Sequence, residues 1–493
     1  MKKRSAYLAI DFGTSNVHAS VIDAETTRII VNTNKKYGWY YPAQNQVELH
    51  IDETWKASEW AVGEVIRQLP EDVELLAITF SYFGDSITPV DEKGEALYGM
   101  IPGFCGRSFK EVQTIGREIG ADTYAKITGN TLSTLATPSK IMWLRDNEPE
   151  VFKKAAGFYS NQQYVMRKLG LGDVQDRTMA ARKLMIDVKA NCWSAPILEL
   201  AGVTEQQLGT QIVESATVVG TIDHYGSVRL PRTLPVTIGC HDVSASLLSA
   251  GVRLENPDTI GVLMGTYEQM GYFSDTFVDG CNDFGDSLIF SCCYSSPFNN
   301  KYTVMDAFPT AGALLEWFCK NILRDPSADI GKLIADAKLD GTGSLMMLPY
   351  VENFHGAVVG MSLSTTTDEI FAAILESLAY QFVACVDYIR STREQPFTKL
   401  HFGGGGSRTD KLLQLRADLI QAPLGRMQNI ELPSLGACIL AGLGNNWYAS
   451  VEDAAAHMRN PVSYFEPIPE NETKYAERYA KYKAISADYL RRY

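Results

Sequence analysis

The stretch that decides the fold is residues 7–23, which read YLAIDFGTSNVHASVID. Apolar residues dominate both ends, and the run DFGTS at 11–15 interrupts them with a glycine and polar side chains. This pattern is typical of a strand, a tight glycine turn and a second strand. Residues 260–273, IGVLMGTYEQMGYF, again place a Gly-Thr pair between two apolar runs. Each half of the chain therefore begins with a similar predicted hairpin, which suggests a duplication.

Outward from these hairpins, strand and helix patterns alternate, which predicts an α/β protein with a mixed sheet. Helices are predicted over residues 52–67, 139–157, 368–393 and 410–420, and strands over 75–80, 236–239 and 399–402. Residues 450–493 predict a charged surface helix that closes the chain. No low-complexity linker separates the halves, so we expect a short hinge near residues 243–258.

The composition narrows the class of protein. The chain has 493 residues, enough for two domains, and a net charge of −13, which argues against a nucleic-acid-binding surface. Its nine cysteines include no CxxC pair, so we expect free thiols of a cytoplasmic protein and neither a zinc site nor a disulfide framework. The basic start, MKKR, precedes too short an apolar run for a signal peptide, and no apolar run is expected to span a membrane.

The first turn carries groups suited to a metal-bound polyphosphate. Gly13 lets the backbone approach phosphate oxygens, while Thr14 and Ser15 offer N–H and O–H donors. Asp11 would hold Mg²⁺, largely through water. The alternative is an ordinary hairpin turn with polar side chains.

Two further glycine segments offer similar chemistry. Residues 264–268, MGTYE, supply donors for a second phosphate clamp, or form a plain turn. Residues 402–410, FGGGGSRTD, place four glycines before a helix, where a ribose or flat ring could lie against the backbone. Neither the P-loop nor the dinucleotide-binding pattern fits this segment, and a flexible loop is the alternative.

The segment 239–243, GCHDV, places a carboxylate in the predicted hinge, after an apolar strand. Phosphoryl transfer requires a positioned base, a metal and in-line geometry. Asp242 is the candidate base, and His241 could orient a substrate hydroxyl. The alternative is that Asp242 only caps the helix that follows.

These four segments, in this order and spacing, resemble the FGGY family of carbohydrate kinases over about residues 6–445. The resemblance implies an α/β, actin/hexokinase-like ATPase fold, with two ribonuclease-H-like domains flanking a cleft for ATP and sugar. It implies Asp242 as catalytic base and Asp11 as metal ligand. The positions that it assigns to the nucleotide are Gly13, Thr14, Ser15, Gly265, Thr266, Gly312, Gly404, Gly405 and Thr409.

The sugar end of the resemblance is less uniform. The Phe-Gly pair at 83–84 and the His before Asp242 are similar to the fuculokinase and rhamnulokinase branch, which implies a sugar-contact loop at Gly84, Asp85 and Ser86 beside His241 and Asp242. The loop lacks the Arg-Glu pair of glycerol kinases and the Met-His pair of xylulokinases. The chain also departs from the pattern of the fuculokinase and rhamnulokinase branch at three positions. Ser86 stands where that branch usually has aspartate, Gly103 where it has tryptophan, and Val243 where it has threonine.

Together these features predict an ATP- and Mg²⁺-dependent kinase of a ketose or deoxyketose. The expected domains are residues 1–245 for sugar and the first phosphate motif, 246–450 for nucleotide, and 451–493 as a helical tail packed on both. We expect a small-molecule sugar as partner, no nucleic acid or membrane, and leave a homodimer open. The alternatives are a polyol kinase, a sugar-responsive regulator without transfer activity, and another actin-like ATPase such as a chaperone or filament protein.

Overall fold

The computed structural model describes residues 3–255, 257–265, 267–279, 290–308, 311–339, 344–349, 356–393 and 395–491. The elements of the first half, in chain order within each class, are β1 (Arg4–Phe12), β2 (Asn16–Asp23), β3 (Ile29–Lys36), β4 (Val73–Tyr82), β5 (Thr88–Val90), β6 (Gly157–Tyr159), β7 (Gln175–Asp176), β8 (Ile186–Asp187), β9 (Cys192–Trp193), β10 (Ile212–Val213), β11 (Val218–Tyr225), β12 (Val228–Thr237) and β13 (Cys240–His241), with α1 (Ile51–Arg67), α2 (Phe109–Glu118), α3 (Ala121–Thr128), α4 (Thr137–Asn147), α5 (Pro149–Lys154), α6 (Asn161–Lys168), α7 (Arg177–Ala181), α8 (Ala195–Ala201), α9 (Glu205–Leu208) and α10 (Asp242–Ser249).

The elements of the second half are β14 (Thr259–Met264), β15 (Glu268–Ser274), β16 (Phe290–Ser295), β17 (Tyr302–Phe308), β18 (Met346–Leu348), β19 (Ala357–Val359), β20 (Lys399–Gly403), β21 (Leu424–Met427) and β22 (Val462–Phe465), with α11 (Gly312–Asn321), α12 (Ile330–Asp336), α13 (Thr367–Thr392), α14 (Asp410–Ile420), α15 (Leu432–Gly444), α16 (Val451–His457) and α17 (Glu472–Leu490). The α/β class and both predicted hairpins are confirmed.

The two main sheets share one arrangement. In the first, the order is β11-β12-β4-β1-β2-β3, with β13 also paired to β4. Strands β1, β2 and β3 form an antiparallel meander, and β4 lies parallel to β1 on its other side. In the second sheet, β14, β15 and β17 are antiparallel neighbours, β16 is added outside β17, and β20 lies parallel to β14. This repeated order supports the duplication that the two Gly-Thr hairpins suggest.

Strand β1 forms the centre of the first sheet because its apolar residues pack on both faces. Residues 6–10 and Phe12 are at most 1% exposed. Such a continuous apolar run is typical of a strand covered by helices on both sides. The first polar side chain after that run is Asp11, at the carboxyl end of the strand. The buried run therefore fixes where the carboxylate emerges.

Helices α10 and α15 join the two halves in a close contact. A Cβ atom on Gly436 of α15 would lie 1.8 Å from the carbonyl oxygen of Ala245 in α10. Thr79 of β4 donates its hydroxyl to the carbonyl of Ala437 at 3.1 Å. Helix α15, from the second half of the chain, thus packs directly on the sheet of the first half.

The sequence predicts residues 139–157 as one amphipathic helix with a Lys/Arg/Glu face, and this prediction is wrong in two respects. The segment forms two helices, α4 and α5, which separate at Glu148 (φ −127°, ψ 57°), because Pro149 disfavours a helical conformation in the residue before it. Lys140 also lies in the core, not on a charged face, and its ammonium donates to the carbonyls of Thr134 and Leu135 at 2.6 and 3.0 Å.

The segment that leads to Asp242 also differs from the prediction. Strand β12 ends at Thr237, Gly239 turns the chain with φ +75°, and the short strand β13 follows. A Cβ atom on Gly239 would lie 1.8 Å from the carbonyl oxygen of Phe80, so only glycine fits. Asp242 consequently begins helix α10, where it is the acidic residue of the first turn.

Helix α13 is long and apolar enough to span a membrane by length and composition. However, 78% of its most apolar window is buried inside the protein, as expected for the core helix of a globular fold.

The tail is not only helical, because β22 pairs with β21 in the second sheet before α17 packs on α13 and α14.

Candidate active site

Three neighbouring strand ends bring the predicted carboxylates to one edge of the first sheet. Strands β1 and β13 both run parallel to β4, on either side of it. Asp11 and Cys240 are both in register with Ser81. In α/β sheets, ligands bind at the carboxyl ends of parallel strands. Asp11, the loop after β4 and Asp242 therefore share the edge where a ligand is expected.

Asp11 is half-buried at this edge. The Ser81 hydroxyl donates to its Oδ1 atom at 2.5 Å. Burial raises the pKa of the Asp11 carboxyl, although the nearby His18 and the Ser81 hydroxyl act in the opposite direction. Mg²⁺ keeps several waters and needs only one or two protein carboxylates. The donor set fits a hydrated Mg²⁺ held at Asp11.

The first glycine turn exposes the predicted phosphate donors. Thr14 and Ser15 are exposed, while the N–H of Gly13 donates to the carbonyl of Asn16 at 3.0 Å. The hydroxyl of Tyr37 donates to the carbonyls of Gly13 and Asn16, and this contact stabilises the turn. The sequence analysis missed Tyr37, since a lone tyrosine after a strand gives no signal of this role.

The second turn meets two other predicted glycines. The N–H of Gly265 donates to the carbonyl of Tyr267 at 3.0 Å, and the N–H of Gly312 donates to the carbonyl of Gly265 at 3.2 Å. Gly404 has φ +83°, and a Cβ atom there would lie 2.6 Å from the carbonyl oxygen of Met264. Gly265, Gly312 and Gly404 thus lie together at the end of β14. Thr266 lies outside the described residues.

The predicted adenosine segment, residues 402–410, is exposed at Gly405 and held by an internal hydrogen bond at Thr409. Gly405 is exposed, with no atom within 4 Å of an added Cβ. The Thr409 hydroxyl donates to the carbonyl of Gly406 at 2.8 Å, so only its lone pairs are left for a base. Glu268, two residues after Thr266, points away from any ligand, because Arg416 holds both of its carboxylate oxygens in the core at 2.6 and 2.8 Å.

The predicted sugar loop lies against His241. Asp85 adopts φ +57°, and a Cβ atom on Gly84 would lie 3.0 Å from both His241 Nε2 and Arg182 Cγ. The loop therefore needs glycine at 84. Ser86 is 3% exposed and its hydroxyl is buried, and its contact with a sugar stays a prediction.

Arg182 is a second residue of the candidate site, after Tyr37, that was not predicted from the sequence. Its guanidinium is 2% exposed, donates to Asp85 Oδ2 at 2.5 Å and donates to Asn130 Oδ1 at 2.9 Å. This ion pair fixes the Asp85 side chain in the loop after β4. The available signal was a pair of basic residues at 182–183 inside the otherwise apolar run of residues 179–185, since basic side chains are rarely buried unless paired.

Asp242 presents a partly open carboxylate to the edge. Its side chain is 29% exposed, and its Oδ1 atom lies 3.2 Å from His241 Nε2 and accepts the N–H of Val243 at 2.7 Å. Burial and the charge of Asp11 raise the pKa of Asp242 to about 8. Burial, with the charge of Arg182, holds the pKa of His241 well below its usual value, so the imidazole is neutral. In its ionised form this carboxylate can accept a proton from a bound hydroxyl, and the raised pKa makes it a stronger base.

Curated relatives and solved structures that are similar to this chain include glycerol, fuculose and gluconate kinases. A glycerol kinase from Desulforamulus reducens is 24% identical over 96% of each chain, and the L-fuculokinase of Escherichia coli K12 is 24% identical over 95% of this chain and 99% of its own. The crystal structure of gluconate kinase from Lactobacillus acidophilus covers all of both chains with a TM-score of 0.84 at 18% identity. This likeness confirms the predicted actin/hexokinase-like fold.

Family domains cover most of the sequence. Residues 6–249 match the N-terminal domain of the FGGY family of carbohydrate kinases, and residues 286–444 match its C-terminal domain. The relatives act on different substrates at nearly equal identity, so they do not select a sugar. The chain belongs to the FGGY family of carbohydrate kinases.

Proposed function

We propose that this chain transfers the γ-phosphate of ATP to a hydroxyl of a ketose or deoxyketose, of the xylulose, fuculose or rhamnulose type, for sugar catabolism. The observation that carries the proposal is the pair of carboxylates at neighbouring strand ends, Asp11 and Asp242, whose charges interact beside the sugar loop. The proposal includes a cytoplasmic location. The described cysteines are free thiols, in keeping with a reducing compartment.

In the proposed reaction, the sugar hydroxyl lies against Asp242, which removes its proton as the oxygen attacks the γ-phosphorus. The bond from that phosphorus to the β-phosphate oxygen breaks, ADP leaves, and the sugar phosphate keeps the new O–P bond. Neutral His241 steadies the carboxylate. Asp11 would hold Mg²⁺, which supplies positive charge to the phosphates. The exposed turn at Thr14 and Ser15 and the glycines at 265, 312 and 404 would bind the phosphates and nucleoside.

The ketose part of the proposal is supported by the Phe-Gly pair at 83–84 and the His before Asp242, which resemble the fuculokinase and rhamnulokinase branch. The Arg182–Asp85 pair lies beside this loop, where a Cβ atom on Gly84 would crowd both His241 and Arg182.

The test is ADP release over a panel of ketoses, deoxyketoses and polyols, with Asp242→Asn compared to the exposed control Asp223→Asn. We expect at least one ketose to raise ADP release, and Asp242→Asn to lower kcat by about 10²–10⁴-fold. A response confined to polyols would reassign the acceptor. Sugar binding with no ADP release above the water background would indicate the regulatory alternative and overturn the proposal.

A further inference from the structure

One strand of the second half reaches across to the base. The outer edge of β16 forms a bridge between Cys292 and Asn130, and the N–H of Cys293 donates to the carbonyl of Gly129 at 2.8 Å. Gly129 adopts φ +67°, and a Cβ atom there would lie 1.7 Å from the carbonyl oxygen of Cys293. The strand therefore needs a glycine opposite it in order to dock on the first half.

The next residue of that strand is Tyr294, which enters the first half. It is fully buried, and its ring lies 4.9 Å from the Arg182 guanidinium. Its hydroxyl lies 2.9 Å from His241 Nδ1, and the two rings meet edge to face with centroids 5.6 Å apart. The Ser244 hydroxyl lies 3.4 Å from the same oxygen. Tyr294 thus links the two halves directly behind the His241–Asp242 pair.

The chemistry of the groups indicates where the hydrogen of neutral His241 lies. An Asp242 that acts as a base is ionised and carries no hydrogen, so the nitrogen 3.2 Å from its Oδ1 atom, Nε2, is the one that carries the hydrogen. In a neutral imidazole Nδ1 is then the acceptor, and the tyrosine hydroxyl donates to it at 2.9 Å. One hydroxyl from the second half therefore favours the tautomer whose N–H faces the base.

Resting on the proposed function, we propose that Tyr294 is a positioning residue for phosphoryl transfer, which acts through His241 to orient the Asp242 carboxylate toward the sugar hydroxyl. Alignment of the base then depends on β16 being docked at Gly129. The halves of the chain are thereby coupled at the reacting carboxylate and not only at the phosphates.

Kinetics of Tyr294→Phe test this role, because phenylalanine keeps the ring and removes only the hydroxyl. We expect kcat to fall about tenfold, the scale of one hydrogen bond, with KM for ATP unchanged. The matched control is Tyr225→Phe, which removes another buried hydroxyl, one that donates to Ser58 in α1 at 2.9 Å and not to His241. In a His241→Ala background, Tyr294→Phe should cause no further loss, since a partner acting through His241 is then silent.

A readout independent of turnover is the tautomer of His241, measured by ¹⁵N NMR of histidine-labelled protein. Tyr294→Phe should change the Nδ1 shift of one histidine, and Tyr225→Phe should not. Parental kcat in Tyr294→Phe, beside an inactive Asp242→Asn, overturns the positioning role and leaves the proposed function intact. Additive losses in the His241→Ala background overturn it as well. A parent without sugar-dependent ADP release would instead overturn the proposed function, and this role with it.

Discussion

Arg182 donates to Asp85 Oδ2 across 2.5 Å, and this pair joins the end of α7 to the loop after β4. The two residues are 97 positions apart in the chain, and their side chains are 2% and 16% exposed. The guanidinium also donates to Asn130 and lies over Tyr294. Arg182 therefore contacts the sugar loop and the strand that crosses from the second half.

Arg182→Met should destabilise the protein by about 3–5 kcal/mol, because it leaves the buried Asp85 carboxylate without its cation. We also expect KM for the sugar to rise while KM for ATP stays constant, since Asp85 lies in the sugar loop only. Urea unfolding and steady-state kinetics measure the two effects. The double variant Arg182→Met/Asp85→Asn should recover most of the stability, since neither charge is then buried alone. A double variant as unstable as the single one would contradict this account.

Residues close in sequence were the predictable part of the site. The turn at 11–15, the strand at 399–402 and the helix at 410–420 each carry their signal locally, as glycines, alternating apolar residues or a polar helix start. Helix α14 has the predicted bounds, because Asp410 begins it and Gln421 ends it in a left-handed conformation. The break at Glu148 was also readable from Pro149 and was overlooked.

Partners distant in sequence were not predictable from one chain. Tyr294 and His241 are 53 positions apart and lie in different halves, so no spacing rule connects them. Tyr37 gives no local signal, because its hydroxyl braces backbone carbonyls 21 and 24 positions earlier. The burial of Ser86 depends on how the loop between β4 and β5 packs, which pattern alone does not specify. Motifs thus locate the backbone turns, whereas packing decides which side chains support them.

Asp306 should make stability depend on pH. It is 1% exposed in β17, and burial raises its pKa to about 7. Between the unfolded pKa of about 4 and this value, the folded state binds more protons than the unfolded state, so stability falls as pH rises. The loss is at most about 4 kcal/mol between pH 4 and pH 8. Asp306→Asn should reduce this pH slope, measured by urea unfolding at several pH values. A smaller slope should remain, because Asp242, whose pKa burial and the charge of Asp11 raise to about 8, contributes with the same sign. The exposed control Asp122→Asn should keep the full slope, and equal pH slopes in all three proteins would contradict the assignment.

Gly129→Ala should weaken the docking of β16 on the first half. The added methyl group meets the Cys293 carbonyl at 1.7 Å, and the left-handed backbone adds strain. Gly170→Ala is the matched control, because Gly170 has a similar φ of +74° but nothing within 4 Å. Both variants carry a conformational cost of about 1 kcal/mol, and only Gly129→Ala should add overpacking of about 1–3 kcal/mol and lower kcat. Equal effects of the two substitutions on unfolding and kcat would argue against a tight docking of β16 at Gly129.

Gly436→Ala should separate α15 from α10. The new Cβ atom would lie 1.8 Å from the Ala245 carbonyl oxygen, which is backbone and cannot rotate away. In an exposed helix the same change normally stabilises by about 0.5–1 kcal/mol, because alanine has less backbone freedom to lose. Gly116→Ala in α2 supplies that reference, with its nearest atom, Leu132 Cδ2, at 3.4 Å. We therefore expect changes of opposite sign in the free energy of unfolding measured in urea, with Gly116→Ala neutral or stabilising and Gly436→Ala destabilising by about 1–3 kcal/mol or more.

Since α10 begins at Asp242, a displaced α10 should also lower kcat in Gly436→Ala at temperatures where the protein remains folded. A folded Gly436→Ala variant with parental kcat and stability would show that the two helices do not set the position of the base.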